Sequence, residues 1–168
     1  MKTLTIFRHA KSSWDNADLS DFERPLLPKG IKRTKKSCQW MKENNIIPDL
    51  IVSSPAERAK LTAQIIQEQI GSDIKIEFET NMYPGNQDQI LEILENTDIN
   101  CNHLLIIGHN PGITDITNCL TGEENIEWMP TSGFATLFFD TNKWSRIRNK
   151  KAQLMHYIEP KGIQKTID

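Results

Sequence analysis

Three short polar segments in this chain carry the residue types needed to hold an anion and attack it. Arg8-His9-Ala10-Lys11-Ser12 follows the apolar run Thr3-Leu4-Thr5-Ile6-Phe7. Ser53-Ser54-Pro55-Ala56-Glu57-Arg58-Ala59 follows Leu50-Ile51-Val52, and Gly108-His109-Asn110-Pro111-Gly112 follows Leu104-Leu105-Ile106-Ile107. Each begins where a strand-like run stops. In an open α/β sheet, ligands bind just beyond the carboxyl ends of the strands. Strands of one parallel sheet end on the same side, so Arg8, His9, Arg58 and His109 converge although they are far apart in the chain. Two guanidiniums and two imidazoles, with no metal-ligating carboxylates beside them, describe a pocket for a dianion. Arginine suits it because its planar fork makes paired, charge-assisted bonds to phosphate-like oxygens. Arg58 falls in the first turn of an expected helix, where backbone N–H groups and the macrodipole favour negative charge. A histidine with one unprotonated ring nitrogen adds a nucleophile or base.

The surrounding pattern supplies the elements that must place these residues. A polar loop is expected from Ala10 to about Leu27. A helix then starts at Pro28, because a first-turn proline loses no hydrogen bond, and carries Ile31, Thr34, Cys38 and Met41 on its inner face before Asn44-Asn45 stops it. The unbroken run Leu50-Ile51-Val52 suits a strand buried on both faces. Ser54 is expected to cap the following helix with Pro55 at its first position. Ala59, Ala63, Ile66 and Ile70 form its stripe, and Gly71 ends it. Ile74–Phe78 alternates like an exposed strand, Gln87–Glu95 reads as a short helix, and Pro111–Leu120 reads as another. Late in the chain, Phe134–Phe139 is a strand. Lys143–Ile147 is expected to pair with it across Asp140-Thr141-Asn142, and Met155–Ile158 is a further short extended piece. Strands alternating with helices imply a three-layer α/β/α fold with a mostly parallel central sheet. A chain of 168 residues is expected to form one compact domain, residues 1–168.

Composition excludes several alternatives. Twenty Lys and Arg against 22 Asp and Glu give a formal charge of −2, whereas a general nucleic-acid binder shows a strong basic excess. Cys38, Cys101 and Cys119 are an odd number without metal-ligand spacing, and read as reduced thiols. The N-terminal run is too short for a secretory signal, and no apolar stretch is long enough to span a bilayer. The expectation is a cytoplasmic monomer with no metal, no cofactor, no nucleic-acid partner and no membrane contact.

The ordered set Arg8-His9-Ala10-Lys11-Ser12, Arg24-Pro25-Leu26 before Gly30, Ser53 to Ala59 with Thr62-Ala63, Gly108-His109-Asn110-Pro111, and Thr131-Ser132-Gly133 resembles the histidine phosphatase superfamily, specifically its small SixA-like phosphohistidine phosphatases. One departure is Ala10, where many superfamily members have glycine. The resemblance implies a phosphoglycerate-mutase-like fold. It implies that His9 attacks phosphorus and becomes a transient phosphohistidine, while Arg8, Arg58 and His109 hold the phosphoryl oxygens. Phosphoryl transfer needs mainly positioning and electrostatic stabilisation, and a covalent intermediate divides it into two displacements. Lys11 and Ser12, in the loop after the nucleophile, are candidate substrate contacts. Arg24 either joins them or braces the first loop by pairing with Asp18, Asp21 or Glu23, and bracing is the favoured role. Trp14 is placed at the pocket entrance, whereas Trp40, Trp128 and Trp144 read as packing residues.

An absence narrows the chemistry. Larger superfamily branches carry a carboxylate that protonates a leaving alkoxide. Here Asn110 follows the second histidine, and in the short Tyr83–Asp88 stretch only Asp88 is acidic, read as an exposed helix-start residue. Imidazole leaves more readily than an alkoxide, so phosphohistidine on a partner protein is the expected substrate. A small phosphoester is the alternative within the same superfamily, and a non-catalytic phosphate-binding module is the alternative outside enzymes.

Overall fold

The computed structural model describes residues 1–163. Six strands form one sheet: β1 (Lys2–Arg8), β2 (Leu50–Ser53), β3 (Lys75–Phe78), β4 (His103–Gly108), β5 (Phe134–Phe139) and β6 (Gln153–Ile158). Their spatial order is β3-β2-β4-β1-β5-β6. The first four in that order are parallel. β5 runs antiparallel to β1, and β6 runs antiparallel to β5. The carboxyl ends of β2, β4, β1 and β6 therefore lie on one edge, together with the chain entering β5.

Four helices cover the sheet: α1 (Pro28–Glu43), α2 (Glu57–Ile70), α3 (Gln87–Glu95) and α4 (Gly112–Thr121). Alternate strand residues face opposite layers. Phe7, Ile51, Leu105, Ile107 and Phe134 pack against Cys38 and Met41 of α1 and Ala59, Ala63 and Ile66 of α2. Leu4, Ile6, Leu104, Ile106, Ala135 and Leu137 pack on the other face with Ile90 and Leu94 of α3 and Ile113 and Ile116 of α4. The α/β/α expectation is met, with two antiparallel strands completing the sheet.

The expectation for the late strands fails. Residues Trp144–Asn149 form a 3-10 helix rather than a strand. Trp144 and Ile147, three apart, both point into the core as the 3-residue turn requires, and the Trp144 indole N–H donates to the Cys101 carbonyl at 2.7 Å. The strand paired with β5 is instead β6, longer than the expected Met155–Ile158 piece. Gly71 does follow α2, but with an extended backbone at φ −179°. The left-handed helix end belongs to Gly122 after α4, at φ 70°.

Candidate active site

His9 sits immediately after β1, beside the central strand β4, and is 6% exposed. Its Nδ1 lies 2.7 Å from the Ala10 carbonyl oxygen. A carbonyl only accepts, so Nδ1 carries the proton and Nε2 keeps its lone pair. Ala10 is itself fixed, because its N–H donates to Thr62 Oγ1 at 2.9 Å, and that hydroxyl donates to the Arg58 carbonyl inside α2 at 2.7 Å. Burial holds the His9 pKa well below the usual histidine value, with His109, Arg58 and Arg8 pushing the same way against the Ala10 hydrogen bond. The imidazole is thus neutral at physiological pH and oriented for attack through Nε2.

His109 follows β4, its ring centroid 5.0 Å from that of His9. Its Nε2 lies 2.7 Å from Ser54 Oγ, a buried hydroxyl after β2. Ser54 Oγ also accepts the Ala56 N–H at 3.2 Å. The hydroxyl hydrogen is then best used toward His109 Nε2, which assigns the neutral ring's proton to Nδ1. Burial, then the Arg58 charge, lowers the His109 pKa to about 3. The helix start differs from the expected one: α2 begins at Glu57 with Ala56 as its N-cap, not at Pro55 with Ser54 as the cap, and Ser54 Oγ bridges the Ala56 N–H and His109 Nε2.

Arg58 occupies the first turn of α2 and is 5% exposed. Its guanidinium donates to the Asp21 carbonyl at 2.7 Å and to Asp21 Oδ2 at 3.1 Å. Asp21 also accepts from Tyr83 Oη at 2.6 Å and from Arg24 Nε at 3.2 Å. Burial alone would raise the Asp21 pKa, but the Tyr83 hydroxyl and the Arg58 and Arg24 charges bring it to about 2. Arg24 additionally donates to Ser12 Oγ at 2.8 Å and stacks on the Trp14 ring at 3.4 Å. Of the partners expected for Arg24, Asp21 is the one in contact, so its bracing geometry is present while it still lines the cleft. Arg8, at the end of β1, donates to the Met129 carbonyl at 3.0 Å.

These side chains surround a cleft of about 720 Å³ at the carboxyl edge of the sheet. All seven residues singled out from the sequence reach it: Arg8, His9, Lys11, Ser12, Arg24, Arg58 and His109. Trp14 lies at its margin as expected. Trp128, read as a packing residue, is instead 56% exposed and lines the cleft, because the segment before β5 returns along the same edge. Arg33, Glu159 and Lys161 are further lining residues that the sequence reading missed. Glu159 and Lys161 arrive there because β6 ends beside the start of β5, pairing Ile158 with Phe134. Asp88 is exposed in the first turn of α3 and does not line the cleft. Among the described residues, no group of three or more His, Cys, Asp or Glu side chains is arranged to hold a metal ion, and no helix is long and apolar enough to cross a membrane.

Comparison with known proteins agrees with this geometry. The family model of the histidine phosphatase superfamily (branch 1) matches residues 4–82, the stretch that holds Arg8, His9, Arg24 and Arg58. An uncharacterized protein of Mycobacterium tuberculosis is 26% identical over 163 residues, covering 92% of this chain and 99% of that protein. Among solved structures, the SixA protein of Agrobacterium tumefaciens is 24% identical with a TM-score of 0.83, covering 95% of this chain and 98% of that one. The protein histidine phosphatase SixA complexed with tungstate is 22% identical with a TM-score of 0.81, covering 96% and 99%. With its His9-centred cleft and its match over residues 4–82, this chain is similar to the histidine phosphatase superfamily, branch 1, and shares the fold of the SixA structures.

Proposed function

We propose that this protein is a phosphatase that hydrolyses a phosphoryl group through a phosphohistidine on His9, and that its substrate is phosphohistidine carried by another protein. One observation carries the reading. Among the described residues, three buried side-chain nitrogens have no hydrogen-bond partner: Arg8 Nε, Arg58 Nε and His109 Nδ1. Buried polar groups are nearly always satisfied, so exceptions call for an explanation. Here all three belong to cleft-lining residues around His9, as expected of donors reserved for anionic oxygens. Burial and the Arg58 charge also lower the Arg8 pKa, a repulsion that a bound dianion relieves.

In the first step the His9 Nε2 lone pair attacks phosphorus. The Nε2–P bond forms, the bond from phosphorus to the leaving atom breaks, and that atom takes the electron pair and a solvent proton. Arg8, Arg58 and His109 Nδ1–H hold the equatorial oxygens as charge spreads over them. In the second step a water oxygen attacks phosphorus, the Nε2–P bond breaks, and its electron pair returns to Nε2. Inorganic phosphate leaves, the surplus water proton passing to solvent. The Ala10 carbonyl holds the Nδ1 proton through both steps.

The substrate class follows from the acids. Asp21, pinned by two arginines with its pKa near 2, is a carboxylate at neutral pH and has no proton to give. Glu159 is the only carboxylate among the described lining residues, and it is exposed. A site of this composition favours a leaving group that departs without a dedicated acid, as an imidazole does. The tungstate complex of SixA supports the oxyanion assignment by likeness of fold. The test is to incubate the protein with a phosphohistidine peptide, quench in alkali and locate phosphate by mass spectrometry. A phosphoramidate on His9 and loss of turnover in His9→Ala are expected. Undiminished turnover in His9→Ala would overturn the mechanism, and faster turnover of sugar phosphates than of phosphohistidine would overturn the substrate.

A further inference from the structure

The cleft holds more positive charge than one phosphoryl group needs. Its described lining residues include six cationic side chains (Arg8, Lys11, Arg24, Arg33, Arg58 and Lys161) and one carboxylate, Glu159, in a chain of net charge −2. Arg8 and Arg58 face the phosphoryl position, and Arg24 is held by Asp21 and Ser12. Lys11, Arg33 and Lys161 remain, with Lys29 crowding the Lys11 ammonium from the start of α1. Among the described residues, none of these four takes part in an ion pair. Concentrated unpaired charge of one sign beside a reaction centre attracts its opposite and steers encounter.

We propose that Lys11, Arg33 and Lys161, backed by Lys29, form a docking surface for an acidic protein segment that presents the phosphorylated histidine to His9. The inference rests on the phosphatase reading and names the partner's chemistry. A protein fits better than a small acidic ester for two reasons. Small-molecule sites enclose most of their ligand, whereas this cleft is flanked by tryptophans that are 74% (Trp14) and 56% (Trp128) exposed. Both rings are also held against arginines, Trp14 on Arg24 at 3.4 Å and Trp128 on Arg8 at 5.9 Å. Ordered tryptophan and arginine side chains are enriched where proteins bind proteins.

The experiment compares two phosphohistidine peptides, one with aspartates and one with asparagines around the phosphorylated residue, using the full chain and the double variant R33E/K161E. An activated aryl phosphate serves as the reference substrate. The wild type is expected to favour the aspartate peptide by about tenfold in kcat/KM at low salt. That preference, read as the ratio of the two peptides' kcat/KM, is expected to collapse toward unity in R33E/K161E and at high salt, with aspartate-peptide turnover falling further than aryl phosphate turnover. Equal turnover of the two peptides by the wild type, or a preference that survives the double variant, overturns the docking surface and leaves the phosphatase reading standing. Loss of all turnover in the wild type overturns the phosphatase reading instead. Binding of the unphosphorylated aspartate peptide, followed by tryptophan fluorescence, then still decides the surface: binding unchanged in R33E/K161E overturns it. Inhibition by a short single-stranded oligonucleotide as strong as by the aspartate peptide reassigns the surface to nucleic acid and also overturns the proposal.

Discussion

Replacing Ser54 by alanine tests the assignment of the His109 proton. Ser54 Oγ lies 2.7 Å from His109 Nε2, and both residues are buried, at 0% and 5% exposure. The substitution removes the partner of a buried nitrogen and also the acceptor for the Ala56 N–H. Leaving a buried polar group unsatisfied costs about 1–3 kcal/mol, so urea unfolding at pH 7 should show a loss of stability in that range. The same loss acts on catalysis if His109 donates through Nδ1, because nothing then fixes its tautomer or ring angle. A transition-state loss of about 1.4–2.7 kcal/mol is a fall of about 10- to 100-fold in kcat/KM for an aryl phosphate. Nitrogen-15 NMR separates orientation from mere destabilisation. In the wild type Nδ1 should resonate as a protonated, pyrrole-type nitrogen and Nε2 as a pyridine-type one, and Ser54→Ala should mix the two. A pyridine-type Nδ1 in the wild type, or a well-folded Ser54→Ala variant with less than twofold loss of activity, would refute the reasoning.

Two other outcomes can be measured on the same material. His9, His103 and His109 all have pKa values lowered chiefly by burial, the last two to about 4 and about 3. A folded-state pKa below the unfolded value near 6.5 means that the stabilisation is complete above pH 6.5. It is lost as pH falls, by about 1.4 kcal/mol per pH unit for each histidine still neutral when folded. Urea unfolding between pH 7 and 5 should therefore show a steep decline below about pH 6.5, and the His109 ring resonances should not titrate from pH 8 to 5 until a dianion such as tungstate is added. Asp21→Asn removes the charge shared by Arg58 and Arg24. The native pKa of about 2 lies below the unfolded value, so the carboxylate stabilises the fold above about pH 4 and ceases to as pH falls toward 2. With its side chain 45% exposed the effect is discounted to about 1 kcal/mol at pH 7, but kcat/KM should fall about tenfold as Arg58 loosens, and Asp21→Glu should recover part of it.

The convergence of Arg8, His9, Arg58 and His109 in one cleft was legible because each stands just beyond an apolar run, and parallel strands bring such ends together without any knowledge of contacts. α3 was legible from its periodicity alone, and the observed Gln87–Glu95 matches the expected span. Long-range pairings were harder to read. Asp21 was one of three named partners for Arg24, but its bond to Arg58 joins residues 37 apart that only the folded loop makes neighbours. Ser54 carried the signature of a helix cap, and no local pattern marks a hydroxyl that serves a histidine 55 residues away. Glu159 and Lys161 depend on which strand pairs with β5, whereas Arg33 reaches the cleft from α1 and Trp128 from the segment before β5. Expecting Lys143–Ile147 beside β5, with Met155–Ile158 as a separate extended piece, left Glu159 and Lys161 unplaced at the cleft. The run Leu154–Ile158 was the available signal, weakened because several of its side chains are exposed on an edge strand.

The Ala10 carbonyl that holds the His9 proton is a backbone atom, and this shapes how the protein can change by mutation. A carboxylate in that role can be lost in a single codon change, whereas a peptide oxygen survives every side-chain substitution that keeps the chain's path. The carbonyl is also uncharged, so it favours a positive imidazole less than a carboxylate does. In the proposed mechanism the phosphorylated ring is correspondingly readier to release its phosphoryl group to water. On the proposed mechanism, one 2.7 Å hydrogen bond between a histidine and the residue after it gives a short-lived covalent enzyme whose orienting group resists single-residue loss.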